Sequence, residues 1–202
     1  MADMVKKPIT LDVNHMMADT LGFQYGIARS QVEEYAPFAA AANQAVQAGR
    51  GKNWLGWTEL PYNQGEIVEK IEKVAQRVRE NFDTIVVLGI GGSALGPIAV
   101  QQALNHLHYN ELPAEKRGGP RLYVEDNIDP ERMQALLDVI DVKTTCFNVI
   151  TKSGATAETM SQYLTVSELL KKEVGDKWAD HIIATTATEK GNLIKLAKEH
   201  GF

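Results

Sequence analysis

The chain has 202 residues, 44% hydrophobic and 23% charged, with a formal net charge of −5. That balance suits one soluble domain, or one domain with an extension, large enough to bury a core without disulfides or metals. The acidic charge, with no basic face to offset it, argues against a nucleic-acid partner. No stretch approaches the roughly 20 apolar residues of a membrane span, and residues 1–13 lack the apolar centre of a signal peptide. A cytoplasmic protein without membrane partners is therefore expected. Cys146, the single cysteine, lies in the apolar run 146–150 and has no partner for a bridge. It reads as a buried strand residue in a reducing compartment, not as a nucleophile.

Residues 1–82 read as a helical N-terminal extension. Residues 30–47 place Val32, Tyr35, Ala36, Ala39 and Ala40 on one stripe, and Gly49-Arg50-Gly51 ends it. Residues 64–82 repeat the pattern with Ile67, Ile71, Val74 and Val78 at spacings of three and four. Between them Asn53-Trp54-Leu55-Gly56-Trp57 reads as an extended connection whose two tryptophans plug against a core.

From Asp83 the rhythm changes. Residues 84–88, Thr-Ile-Val-Val-Leu, form a short β-branched run that suits a strand covered on both faces. A helix is predicted over 94–108, a strand over 122–124, and a helix over 129–140 with Asp129 as N-cap and Pro130 at its first position. A strand over 146–150, a helix over 156–172, a strand over 181–185 and a helix over 192–200 complete the series. Four strand–helix units in succession predict an α/β domain over 83–202, a parallel doubly wound sheet of flavodoxin-like three-layer αβα type. The alternation stops at Gly201-Phe202, where another strand is expected, so the domain reads as cut short.

In such sheets ligands bind at the carboxyl ends of strands, where helix N-termini present free N–H groups. Two turns there are unusual. In Gly89-Ile90-Gly91-Gly92-Ser93 the glycines let a ligand approach the backbone, and Ser93 is expected to cap the next helix while offering a hydroxyl. Alone, this turn fits a sugar or phosphate ligand, a dinucleotide, or a purely steric use of glycine. In Thr151-Lys152-Ser153-Gly154-Ala155-Thr156 three hydroxyls, an ammonium and the start of a helix converge. That donor set suits a phosphate dianion. Simple capping by Ser153 or Thr156, with Glu158 as the capping-box partner, accounts for one hydroxyl but not for three and a lysine.

The dinucleotide reading wants an acidic residue about 20 residues on, at the end of the next strand. Glu125 and Asp126 end that strand but lie 31 and 32 residues after Ala94. This rival also leaves the second turn unexplained. A Walker-type phosphate loop is absent, since Gly91 to Gly96 is followed by Pro97-Ile98. No metal site is expected: His106 and His108 near one helix end, with His15, His181 and His200 scattered, read as surface or capping residues.

At the two turns the sequence resembles sugar isomerase (SIS) domains, whose second loop follows Ser/Thr-x-Ser/Thr-Gly-x-Thr. The likeness extends to the bacterial-type glucose-6-phosphate isomerase family through residues 87–96, Asn53-Trp54-Leu55-Gly56-Trp57, Ala103-Leu104-Asn105-His106, Lys116-Arg117-Gly118, Thr185-Thr186 and Glu189-Lys190-Gly191-Asn192-Leu193. The resemblance implies reversible aldose–ketose isomerisation of glucose 6-phosphate and fructose 6-phosphate in glycolysis and gluconeogenesis. A carboxylate base moves a proton through an enediol, without cofactor, metal or nucleotide. By position, Thr151, Lys152, Ser153 and Thr156 would hold the phosphate, and Gly92 and Ser93 would lie beside the sugar chain. The family's Gly-Gly-Arg segment and its catalytic glutamate, histidine and lysine have no match here, so no catalytic residue is assigned. Glu158 and Glu168 read as solvated or capping. The resemblance therefore implies an N-terminal portion that binds phosphosugar without turning it over, partnered by the rest of an isomerase chain and homo-oligomeric in the full enzyme. A free-standing SIS module with a regulatory role is the alternative, and a Rossmann-type dinucleotide domain the third.

Overall fold

The computed structural model describes residues 10–202. The chain divides into two compact units, residues 1–66 and 67–202.

Within the described part of the first unit lie α1 (Ala18–Leu21) and the long α2 (Arg29–Gly49). The entry to α2 is fixed locally: the Gln31 side chain accepts the Ala28 N–H at 2.8 Å, and Arg29 pairs with Asp19 at 2.8 Å. Residues Asn53–Glu59 do not run extended but wind as a 3-10 helix. This overturns the expected tryptophan plug, because Trp54 and Trp57 are 79% and 63% exposed. With three residues per turn, positions 54 and 57 eclipse on one outward side, and the turn between them gives the buried place to Leu55. Thr58 closes the turn by donating to the Leu55 carbonyl at 2.8 Å and accepting the Gly51 N–H at 3.1 Å.

The helix α3 (Gly65–Asn81) leads into the second unit, where Val78 is buried. There β1 (Thr84–Leu88), β2 (Arg121–Glu125), β3 (Thr145–Ile150) and β4 (Ile182–Thr185) form one parallel sheet in the order β2-β1-β3-β4. The helices between them are α4 (Gly92–Leu104), the short α5 (Ala114–Arg117), α6 (Pro130–Leu137) and α7 (Ala157–Val174), and α8 (Asn192–His200) follows β4. The order reverses at β1 and β3, as expected for a doubly wound sheet, and the α/β expectation holds. One face buries Val86, Leu88, Phe147, Val149 and Ile182 against α6, α7 and α8. The alternate residues Val87 and Cys146 are also buried, so the central strands are covered on both faces.

Several boundaries moved for local reasons. Asp129 caps α6 as expected, accepting from the N–H groups of Glu131 and Arg132, but α6 ends at Leu137. The helix after β1 stops at Leu104, because Asn105 turns extended and His106 Nδ1 takes the His108 N–H at 3.0 Å. His181 is buried, against the surface reading: its Nδ1 lies 2.9 Å from the Thr145 carbonyl and Phe82 packs on its edge. On the outer rim of β2 the Asn110 side-chain amide grips Leu122 twice, donating to its carbonyl at 2.7 Å and accepting its N–H at 2.8 Å.

Candidate functional site

The pairing Leu88↔Val149 brings the two unusual turns side by side at the carboxyl end of the sheet. They abut closely. A Cβ on Gly89 would lie 2.9 Å from the Ser93 Cβ and 3.3 Å from the Ile150 carbonyl oxygen, so only glycine fits at the seam. The N-cap of α4 is Gly91 with φ of 55°, not Ser93. Ser93 sits one residue inside the helix and is half-buried, its N–H given to the Ile90 carbonyl at 3.1 Å. The capping role expected for Ser93 is thus taken by a glycine that tolerates a positive φ. Gly92 is exposed beside it.

The second turn is held by its own hydroxyls. Thr151 Oγ1 lies 2.9 Å from Thr156 Oγ1 and 3.4 Å from Ser153 Oγ, which also accepts the Ala155 N–H at 3.2 Å. Thr156 is the N-cap of α7 but makes no side-chain capping bond, so simple capping does not explain its hydroxyl. The first-turn N–H groups of α7 therefore keep their donor capacity. The arrangement is a graded one, with Thr151 buried, Thr156 half-buried, and Ser153 and Lys152 exposed. Such a cluster can surround a tetrahedral anion with neutral donors, one cation and the positive end of a helix.

Both acids at the end of β2 are engaged elsewhere. Arg132 on α6 donates to Asp126 at 2.8 Å, and its Nε lies 3.5 Å from Glu125 Oε2. Burial pushes the Glu125 carboxyl above its ordinary pKa, Arg132 opposes this, and Asp126 and Asp129 add to it. Glu168 is exposed and paired with Lys171 at 2.7 Å, while Glu158 stands half-buried in the first turn of α7. Among the described residues no group of three or more His, Cys, Asp or Glu is placed to hold a metal ion.

Residues beyond the two turns also shape them. The Gln162 amide on α7 donates to the carbonyls of Glu125 at 3.2 Å and Asn127 at 2.9 Å. Thr186, after β4, donates its hydroxyl to the Thr151 carbonyl at 2.6 Å. No local pattern could have flagged these contacts, which join positions 35 and more residues apart.

The fold and its paired turns define a doubly wound α/β domain with glycine- and hydroxyl-rich loops at adjacent strand ends. Residues 65–198 match the phosphoglucose isomerase family, and the chain belongs to that family. It is 54% identical over 175 residues to the glucose-6-phosphate isomerase of Carboxydothermus hydrogenoformans, a match covering 87% of this chain and 38% of that protein. Its match to the glucose-6-phosphate isomerase of Rubrobacter xylanophilus is 38% identical and covers 92% of this chain and 42% of the relative. Among solved structures, a hypothetical protein from Thermus thermophilus superposes with a TM-score of 0.68 at 32% identity, over 86% of this chain and 39% of that one. The chain thus spans well under half the length of these relatives.

Proposed function

We propose that this chain is the phosphosugar-binding part of a glucose-6-phosphate isomerase, which interconverts glucose 6-phosphate and fructose 6-phosphate. The observation that carries the proposal is the second loop, with exposed Lys152 and Ser153 above the Thr151–Thr156 hydroxyl pair at the N-terminus of α7. Thr151, Lys152, Ser153 and Thr156 form the phosphate end of the site. Gly92 and Ser93, across the glycine seam at Gly89, lie along the sugar chain.

This division has a chemical logic. The phosphate takes no part in the proton transfer between C1 and C2, so a clamp on it supplies binding energy that fixes the reacting carbons elsewhere. An ammonium and charge-assisted N–H donors suit that role. Neither loop contains a carboxylate to act as base, and the family's catalytic glutamate, histidine and lysine have no match in these 202 residues. On that resemblance we assign the chain binding without turnover, with the rest of an isomerase chain as partner. The solvent side of α4 suits such a partner, because Gly92–Leu104 carries no charged residue and Leu95, Val100 and Leu104 are exposed.

Calorimetry with 6-phosphogluconate and with NAD tests the reading. The sugar acid phosphate is expected to bind, to be displaced by inorganic phosphate, and to outcompete NAD. Binding of NAD alone would overturn it. A coupled assay giving near-normal isomerase rates for this chain alone would overturn the assignment of binding without turnover.

A further inference from the structure

The end of β4, the segment after it and the start of α8 meet the second loop at three points. At the first point, Thr151 donates its N–H to the Thr185 carbonyl at 3.1 Å, and the Thr151 carbonyl accepts the Thr186 hydroxyl at 2.6 Å. At the second, the Gly154 carbonyl accepts the N–H groups of both Asn192 and Leu193 at 3.2 Å. At the third, the chain passes so closely that a Cβ on Gly191, at φ of +123°, would lie 2.5 Å from the Ser153 carbonyl oxygen. Gly154 at φ of +66° is equally confined, since a Cβ there would stand 3.0 Å from the nitrogens of Asn192 and Leu193. The anchor beneath is firm, because Leu193 is fully buried in the core.

These contacts have a common sense. The first N–H groups of a helix are the ones that ordinarily seek an anion or a cap. In α8 two of them are committed to the Gly154 carbonyl, so that helix end does not compete with α7 for a ligand. It holds the loop from behind. The carbonyls of Thr151 and Gly154 are thus held from this side, while the hydroxyls of Thr151, Ser153 and Thr156 bond among themselves.

We infer that Thr186, Gly191 and the first turn of α8 are the positioning frame of the anion loop: they set its geometry without contacting the ligand. The inference rests on the phosphosugar reading for its functional consequence, but the frame itself can be tested without a ligand. Thr186→Val keeps the shape and removes the hydroxyl, while Thr186→Ser keeps the donor. Thr186→Val is expected to weaken binding of 6-phosphogluconate about five- to tenfold, the size of one lost hydrogen bond. Thr186→Ser is expected to restore it to within about twofold on the same scale.

A role in global stability alone would lower the melting temperature of Thr186→Val and leave affinity untouched well below it. In an amide NMR spectrum without ligand, Thr186→Val is expected to move the resonances of Gly154 and Ala155 and Thr186→Ser to leave them in place. Unmoved loop resonances in Thr186→Val overturn the inference, as does unchanged affinity. If those resonances move but the unaltered protein binds no 6-phosphogluconate and Lys152→Ala changes nothing, the frame stands and the phosphosugar reading falls. Gly191→Ala is a second probe, expected to be more damaging because its Cβ meets backbone rather than a flexible side chain.

Discussion

The Thr151 hydroxyl stands 2.9 Å from that of Thr156, across the start of α7, while Thr151 itself is buried. The pair closes the loop from within, so the two threonines are not equivalent. Thr151 is buried at the base, Thr156 is half-buried and Ser153 is exposed. Ser153→Ala and Thr156→Ala are therefore expected to weaken 6-phosphogluconate binding by about 1–3 kcal/mol each with little loss of stability. Thr151→Val should lower both affinity and melting temperature. Calorimetry paired with thermal unfolding checks this, and an unchanged affinity in all three variants would mean the clamp is misplaced.

Glu125 makes a prediction with a sign. Its Oε2 is buried without a hydrogen bond, and burial raises its pKa in the folded state. The folded protein then holds more protons than the unfolded chain between the two pKa values, so stability falls as pH rises through that window and levels off above it. Glu125→Gln removes the buried charge. It is expected to melt higher than the unaltered protein at pH 7, with the gap closing as pH falls toward the ordinary carboxylate range. A lower melting temperature for the variant at pH 7 would show that the Arg132 pairing outweighs burial.

Cys146 should be chemically silent. It is fully buried on β3, and burial pushes its thiol up to about 12. A thiol-specific reagent at pH 8 is expected to leave the native protein unmodified and to label one site per chain once denaturant is added. Rapid labelling of the native state would contradict the packing of β3.

The uncovered side of α4 predicts self-association. Leu95, Val100 and Leu104 are 62%, 58% and 79% exposed on a helix that carries no charge. A helix without a charged face is normally covered. Gel filtration is expected to show association for the unaltered chain and a shift toward monomer for a Val100→Lys, Leu104→Glu double variant. A monodisperse monomer before any substitution would count against it.

The parts legible in the sequence were those written in short-range patterns. The β-branched run of β1, the Asp129–Pro130 start of α6 and the hydroxyl-rich turn before α7 each carry their reason within a few residues. The outcome differed where the decision was made elsewhere. Trp54 and Trp57 resemble core residues by type, but a three-residue turn puts both on one outward side. Ser93 looks like a cap by chemistry, but Gly91 alone accepts the positive φ needed there. Thr186 and Gln162 are ordinary polar residues in sequence, and acquire their roles only when β4 and α7 are folded against the strand ends.

Asn110 has a directional consequence. By occupying the backbone groups of Leu122, its amide stands where a neighbouring strand would pair, so nothing can add beside β2 at that point without first evicting it. On the far side, strand alternation turns the N–H and C=O of every second residue in β4 away from β3, and among the described residues no side-chain amide guards them. The two rims therefore differ in their capacity to recruit: a side chain obstructs one at Leu122, and none of the described residues does so at the other.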